Sequence, residues 1–219
     1  MKKEFLDKIV ELRHRLHAHP ELSMEETWTK RELMEFLREN TRLELVDRGH
    51  WFYAYYDCGK AGAKTYAFRA DFDALPMEEA LDLPYGSRIP GVAHKCGHDG
   101  HSAALAGLAL AVDAEGADKN IYFIFQHGEE VGGGGAECAG LIREKGIDQA
   151  FAFHNMSGYP YRSVILRSGI VQCASKGLTV RFTGAPAHAS QPEDGKNPAE
   201  AAARLVLAAG EAAREDRSM

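Results

Sequence analysis

The run Ile121-Tyr122-Phe123-Ile124-Phe125 is continuously apolar. A strand of this kind has to be covered on both faces, as happens where helices lie above and below a sheet. Residues 65–70 and 151–153 form two further short strand-like runs, and 51–56 is an aromatic-rich one. Helical patterns alternate with them, over 102–114 and 136–145. The alternation predicts an α/β fold with a mainly parallel sheet flanked by helices on both faces. Each run also ends in polar chemistry: Asp71-Phe72-Asp73 follows 65–70, Gln126-His127-Gly128-Glu129-Glu130 follows the central strand, and His154 follows 151–153. Ligands of open α/β sheets bind at the carboxyl ends of strands.

Between the first two of these strands lies His94-Lys95-Cys96-Gly97-His98-Asp99-Gly100-His101. Thiolate, imidazole and carboxylate bind borderline-soft divalent metals. Cys96 and His98 can face one point in an extended or tightly turned segment, with glycines allowing close backbone approach. This density reads as half of a metal site, and His154, at a strand end, is a further ligand candidate. Adjacent residues at a strand end point different ways, so one of Glu129 and Glu130 can bind metal while its neighbour reaches a metal-bound water. Asp71 and Asp73, two apart, share a side. They read either as a solvated turn or as carboxylates holding a metal-bound histidine in one tautomer, and Asp99 is placed in the same supporting group. The helix over 102–114 would aim its N-terminus at the site and favour anions there. Cys96 paired with a histidine as a nucleophile is a weaker reading, since it leaves the strand-end acids and His154 without a task.

The rest of the chain carries less chemistry. Residues 3–18 place Leu6, Ile9, Val10 and Leu16 on one helical face, Pro20 ends that helix, and Ser23-Met24-Glu25-Glu26 spells a capping box for a second helix bearing Leu33, Phe36 and Leu37. His14, His17 and His19 read as a solvated face and a helix end. The glycine run 132–135 lacks the Lys-Ser/Thr of a phosphate loop and reads as a flexible turn. Beyond about residue 168 the organisation shifts. Residues 176–183 alternate as a half-exposed strand with Leu178, Val180 and Phe182 inward, a loop holds His188, and Asn197-Pro198-Ala199-Glu200 opens a helix with an N-cap and an N1 proline. One strand and one helix cannot close a core, so 1–168 is expected to be a catalytic metal-binding domain and 169–219 the incomplete beginning of an α+β domain. A net charge of −6, not gathered into a tail, gives no support for nucleic-acid or anionic-membrane binding. No apolar run approaches the ~20 residues of a membrane span. Scattered Cys58, Cys96, Cys138 and Cys173 and the lack of a signal-like start make the cytoplasm the expected compartment.

Together these residues resemble the dinuclear-metal aminoacylase and carboxypeptidase family, in its hippurate hydrolase and N-acyl-amino-acid amidohydrolase branch, which includes indole-acetyl-amino-acid hydrolases. The carriers are Arg13-His14-x-x-His17 with Pro20-Glu21-Leu22-Ser23, then Arg69-Ala70-Asp71-Phe72-Asp73-Ala74-Leu75-Pro76. The His94–His101 cluster, Phe125-Gln126-x-x-Glu129-Glu130, His154 and the Gly184-x-x-x-His188-Ala189 loop follow in the family's order. The resemblance implies a zinc-exopeptidase-like catalytic domain and the start of a lid and dimerisation domain. It implies Cys96, His98, Glu130 and His154 as metal ligands, Glu129 as the acid/base, His188 as a substrate-binding residue that supports the oxyanion, and Asp73 as an orienting group. It also implies two divalent ions (zinc or manganese, with cobalt compatible), an N-acyl amino acid substrate hydrolysed by a metal-activated water, and a homodimer formed through the lid. Lys95 stands where the branch usually has Ala, and His127-Gly128 where it usually has Pro-Ala. A further metal-binding histidine that the family carries after its lid domain has no counterpart in this sequence, so a C-terminally truncated, non-catalytic remnant is the alternative expectation.

Overall fold

The structure, a computed structural model, describes residues 3–170 and 177–215, which fall into two compact units, Met1–Gly158 and Tyr159–Met219. The first unit runs α1 (Lys3–Ala18), α2 (Thr27–Asn40), β1 (Glu44–Asp47), β2 (Phe52–Tyr56), β3 (Thr65–Asp71), α3 (His98–Glu115), β4 (Asn120–Gln126), α4 (Gly135–Glu144) and β5 (Gln149–Ala152). The sheet order is β1-β2-β4-β3-β5. β3 pairs in parallel with β4 and β5, whereas β2 is antiparallel to both β4 and β1. The sheet is therefore mixed. β1 and β2 are joined by a tight turn in which Arg48 N donates to Trp51 O (2.9 Å), and so short a connection can only return the chain antiparallel.

Alternation along the strands sorts the core into two layers. Phe52, Ala54, Ile121, Phe123 and Phe125 pack with Leu12, Leu16, Leu33, Leu37 and the small-residue face of α3. Tyr53, Tyr122, Ile124 and Ala67 pack on the other side with Cys138 and Leu141 of α4. The continuous apolar run of β4 is explained by this: each face of it has its own helical cover.

Several expectations are corrected. The buried stripe of α1 is Leu12 and Leu16 with Phe5 and Ile9 packed beside them, while Leu6 and Val10 are exposed. The Ser23 capping box does not form. Glu21 caps α2 instead, accepting from Trp28 N (3.0 Å) and Thr29 N (2.7 Å), because the Ser23 hydroxyl is engaged by Asp73. α3 begins at His98, four residues before the expected start at 102, so His98, Asp99 and His101 occupy its first turn. Gly97, at φ 93, makes that entry, a conformation L side chains rarely adopt.

In the second unit, α5 (Ala199–Glu215) is opened by Asn197, whose side-chain oxygen accepts from Ala199 N (3.0 Å). A short antiparallel bridge joins Ala185 to Lys196 around a turn at Pro192–Asp194. The expected strand over 176–183 is absent across residues 177–183, where no neighbouring strand pairs with it among the described residues, and an unpaired strand has no ladder to satisfy its backbone. Lys176 and Cys173 lie outside the described residues.

Candidate metal centre

The carboxyl ends of β3 and β4, the residues after β5 and the first turn of α3 meet at one place. His98 is at its middle, fully buried. Its Nδ1–H donates to Asp73 Oδ1 (3.0 Å), which leaves the Nε2 lone pair bare. That Nε2 lies 3.7 Å from Glu130 Oε1, 3.8 Å from Asp71 Oδ1 and 3.9 Å from Glu129 Oε2. His154 is held in the same tautomer, its Nδ1–H donating to the Asn155 carbonyl (2.7 Å) and its Nε2 facing Cys96 Sγ at 3.3 Å. Two imidazole Nε2 atoms, that of His98 without a hydrogen-bond partner and that of His154 against the Cys96 thiol, thus converge with the Glu129–Glu130 pair, as the sets Cys96, His98, His154 and His98, Glu129, Glu130.

His98 Nε2 and Glu130 Oε1 are buried without a hydrogen-bond partner. Such atoms are costly unless something accepts their lone pairs, and a nitrogen, a sulfur and carboxylate oxygens under net negative charge match a divalent cation. The residues present fit a metal. Burial works against a charged His98 ring, yet the Asp73 hydrogen bond and the Asp71 carboxylate hold its pKa above the ordinary value, another sign of a site that calls for positive charge. Burial and the neighbouring Glu130 carboxylate push the Cys96 thiol up to about 12. A nucleophilic cysteine needs the opposite shift, so this setting does not favour a thiolate–imidazole pair, whereas a bound metal ion would deprotonate the thiol.

The supporting carboxylates divide their work. Asp73 Oδ2 accepts from Ser23 Oγ (2.7 Å) and from Glu130 N (2.9 Å), so one side chain orients His98 and anchors the Glu129–Glu130 loop. Asp71 accepts from His101 Nδ1 (2.7 Å) and Arg69 (2.6 Å). His101 Nε2 meets Asn155 twice, at its side-chain oxygen and at its backbone N (3.1 Å), so both ring nitrogens of His101 are engaged by protein partners although it lies close to His98 and Asp71. His101 was not singled out from the sequence as a site residue. Its spacing of three from His98 on one helix matches the spacing of two between Asp71, the last residue of β3, and Asp73 just beyond it, and that double register was the available signal.

Asp99 corrects its expected role. One residue past His98 on a helix it points elsewhere, and it accepts from His17 Nδ1 (2.8 Å) and pairs with Arg13 (2.7 Å). His17 is likewise corrected from a solvated residue to a buried one, its Nε2 donating to Glu79 (2.9 Å), which also pairs with Lys95. His188 lies in the second unit, where Nδ1 accepts from the Ser190 hydroxyl (2.7 Å) and amide (3.2 Å), leaving the proton on Nε2.

Although burial raises it, the Asp71 carboxyl is held at about 2 by the His101 hydrogen bond and the Arg69 guanidinium. A depressed carboxylate stabilises the fold above its unfolded pKa near 3.8, and that contribution fades as pH falls through 4 toward 2. Urea titrations of the metal-free chain are expected to show about 2 kcal/mol more loss between pH 5 and 2 for the parent than for Asp71→Asn. Equal slopes would refute the assignment.

With this geometry in view, comparison with known proteins is decisive. Residues 67–218 match the model of peptidase family M20/M25/M40. The chain belongs to that family. It is 30% identical over 210 residues to an N-acetylcysteine deacetylase of Bacillus subtilis, covering 93% of this chain and 54% of that one. It is 31% identical to a hippurate hydrolase of Campylobacter jejuni, over 90% of this chain and 52% of the relative. Among solved structures, a Bacillus subtilis dinuclear metal binding peptidase from the M20 family superposes with a TM-score of 0.68 at 32% identity, covering 73% of this chain and 46% of that one. The chain spans about half the length of the curated relatives it matches. Among the described residues no helix is long and apolar enough to cross a membrane.

Proposed function

We propose that this M20-family chain carries the metal-binding centre of an amidohydrolase that cleaves the amide bond of N-acyl or N-aroyl amino acids. The observation that carries the reading is the convergence of the Nε2 atoms of His98 and His154 with the Cys96 thiol and the Glu129–Glu130 pair. Cys96, His98, Glu130 and His154 would hold two divalent ions, zinc being favoured by the thiolate and manganese by the carboxylates. When bound, such ions supply Lewis-acid polarisation and lower the pKa of water.

The two glutamates are distinguished by exposure. Glu130 Oε1 is buried and unpartnered, suiting a ligand, while the Glu129 side chain is 40% exposed and able to meet a substrate. Glu129 takes a proton from the attacking water and returns it to the leaving nitrogen, so that amide and water become carboxylic acid and amine. Asp73 keeps the His98 proton on Nδ1 throughout. The second unit is read as the start of a lid domain, with His188 presenting its Nε2–H to the substrate.

Glu129→Gln is the test. Metal content is expected to stay at the parent level while hydrolysis of N-benzoylglycine and N-acetylcysteine falls about 10²–10⁴-fold. Parent-level turnover in the variant would sink the assignment of the base.

A further inference from the structure

The segment between α1 and α2 reaches into the centre from outside the region matched to the family, which begins at residue 67. Ser23 Oγ donates to Asp73 Oδ2, and Glu26, 5% exposed, accepts the Gly128 N–H at 2.7 Å across 102 residues of sequence. The Met24 sulfur lies against the same loop. A Cβ added at Gly128 or Gly133 would stand 2.7 or 2.9 Å from it. Within the loop, the amides of Gly133 and Gly134 fold back onto the Gly128 carbonyl (2.9 and 3.3 Å). The loop over 128–134 therefore hangs from two carboxylates, Glu26 at Gly128 N and Asp73 at Glu130 N, with Glu129 suspended between the two tethers.

None of these features is needed for α2. Glu21 already caps that helix, and Glu26 makes no side-chain cap bond. Burying Glu26 close to Asp73 is electrostatically unfavourable, and holding Met24 at φ 71 strains its backbone sterically. Strained and buried polar groups persist where the surroundings gain from them.

We propose that Ser23, Met24 and Glu26 are positioning residues for the metal centre, setting the distance of Glu129 and Glu130 from His98 through Asp73 and the Gly128 amide. The inference rests on the reading of Glu130 as a ligand.

The test uses the whole chain and Co²⁺, whose visible absorption reports ligand geometry, with affinity read by competition against a chromophoric chelator. Ser23→Ala and Glu26→Ala are expected to weaken Co²⁺ binding about 10- to 100-fold and to alter its spectrum. Glu26→Gln, which keeps an oxygen for Gly128 N–H, is expected to bind like the parent, as is Ser23→Thr. Circular dichroism establishes that each variant is folded. Folded Ser23→Ala and Glu26→Ala chains with parent affinity and spectrum would overturn the proposal. If Glu26→Ala does not fold, the comparison of Ser23→Ala with Ser23→Thr decides it. A parent chain that takes up no Co²⁺ refutes the metal reading instead. Hydrogen exchange at the Gly128 and Glu130 amides then decides the tethers: acceleration confined to the alanine variants supports them, and unchanged rates overturn them.

Discussion

Asp73→Ala is expected to remove divalent-ion binding and to destabilise the first unit by about 3–5 kcal/mol, the range for breaking a buried charged pair by deleting one partner. The side chain is buried and serves three donors: His98 Nδ1, Ser23 Oγ and Glu130 N. Deleting it strands the His98 donor in a fully buried position, where an unsatisfied donor bears its full desolvation penalty, and takes the acceptor from the part-buried Ser23 hydroxyl and Glu130 amide. It also frees the His98 ring to change tautomer, so that Nε2 no longer carries the lone pair. Asp73→Asn is expected to be milder in stability, because an amide oxygen still accepts one of these bonds. It should remain poor in metal binding, because its NH₂ group faces donors. Urea midpoints and cobalt titration measure the two effects separately. Retention of both in Asp73→Ala would remove Asp73 from the centre of the site.

Gly134→Ala is expected to cost about 3 kcal/mol, while Gly135→Ala next to it should raise stability by about 0.5–1 kcal/mol. A Cβ at Gly134 would overlap the His127 carbonyl oxygen and stand 2.9 Å from its carbon, and backbone at the end of a central strand cannot move aside as a side chain can. At Gly135, the first residue of α4, the nearest atom is Gln126 Nε2 at 3.9 Å, so alanine there brings only its better helix propensity. Thermal melting of the two variants reads the contrast. Similar melting temperatures would show that the loop yields easily. Within the glycine run, expected from sequence to be a flexible turn, Gly134 is on this view a packing requirement: the start of α4 passes so close to the residue after β4 that a side chain at this position has no room.

The strands and their chemistry were legible because both rest on local signals. A continuous apolar run marks a buried strand, and acids or histidines directly after it mark the ligand-bearing edge. Asp71, Asp73, Glu129, Glu130 and His154 were read as candidates in this way, and Cys96 and His98 by their density. What escaped depends on pairs remote in sequence. His17 looks like one polar residue on a helix until Asp99, 82 residues later, is set against it. Glu26 resembles a helix-start acid until Gly128 is seen above it. Ser23 spelled a capping box, yet a buried carboxylate competes better for its hydroxyl than solvent-facing backbone does. The first turn of α3 was missed for a related reason. His-Asp-Gly-His reads as a loop by composition, and only the partners that bury those side chains make it helical.

The place of β3 in the sheet bears on when the centre can exist during synthesis. β3 is a middle strand, yet both of its neighbours, β4 and β5, lie later in the chain. As the polypeptide leaves the ribosome, β3 waits with both edges bare, for several seconds at ~5–20 residues per second. His154, beyond β5, is the last of the converging donors to emerge. Metal therefore cannot guide the early steps of folding. It can only reward a sheet already assembled, and until then β3 lacks both its partner strands and α3, the helix that packs on it, all of which follow it in the chain.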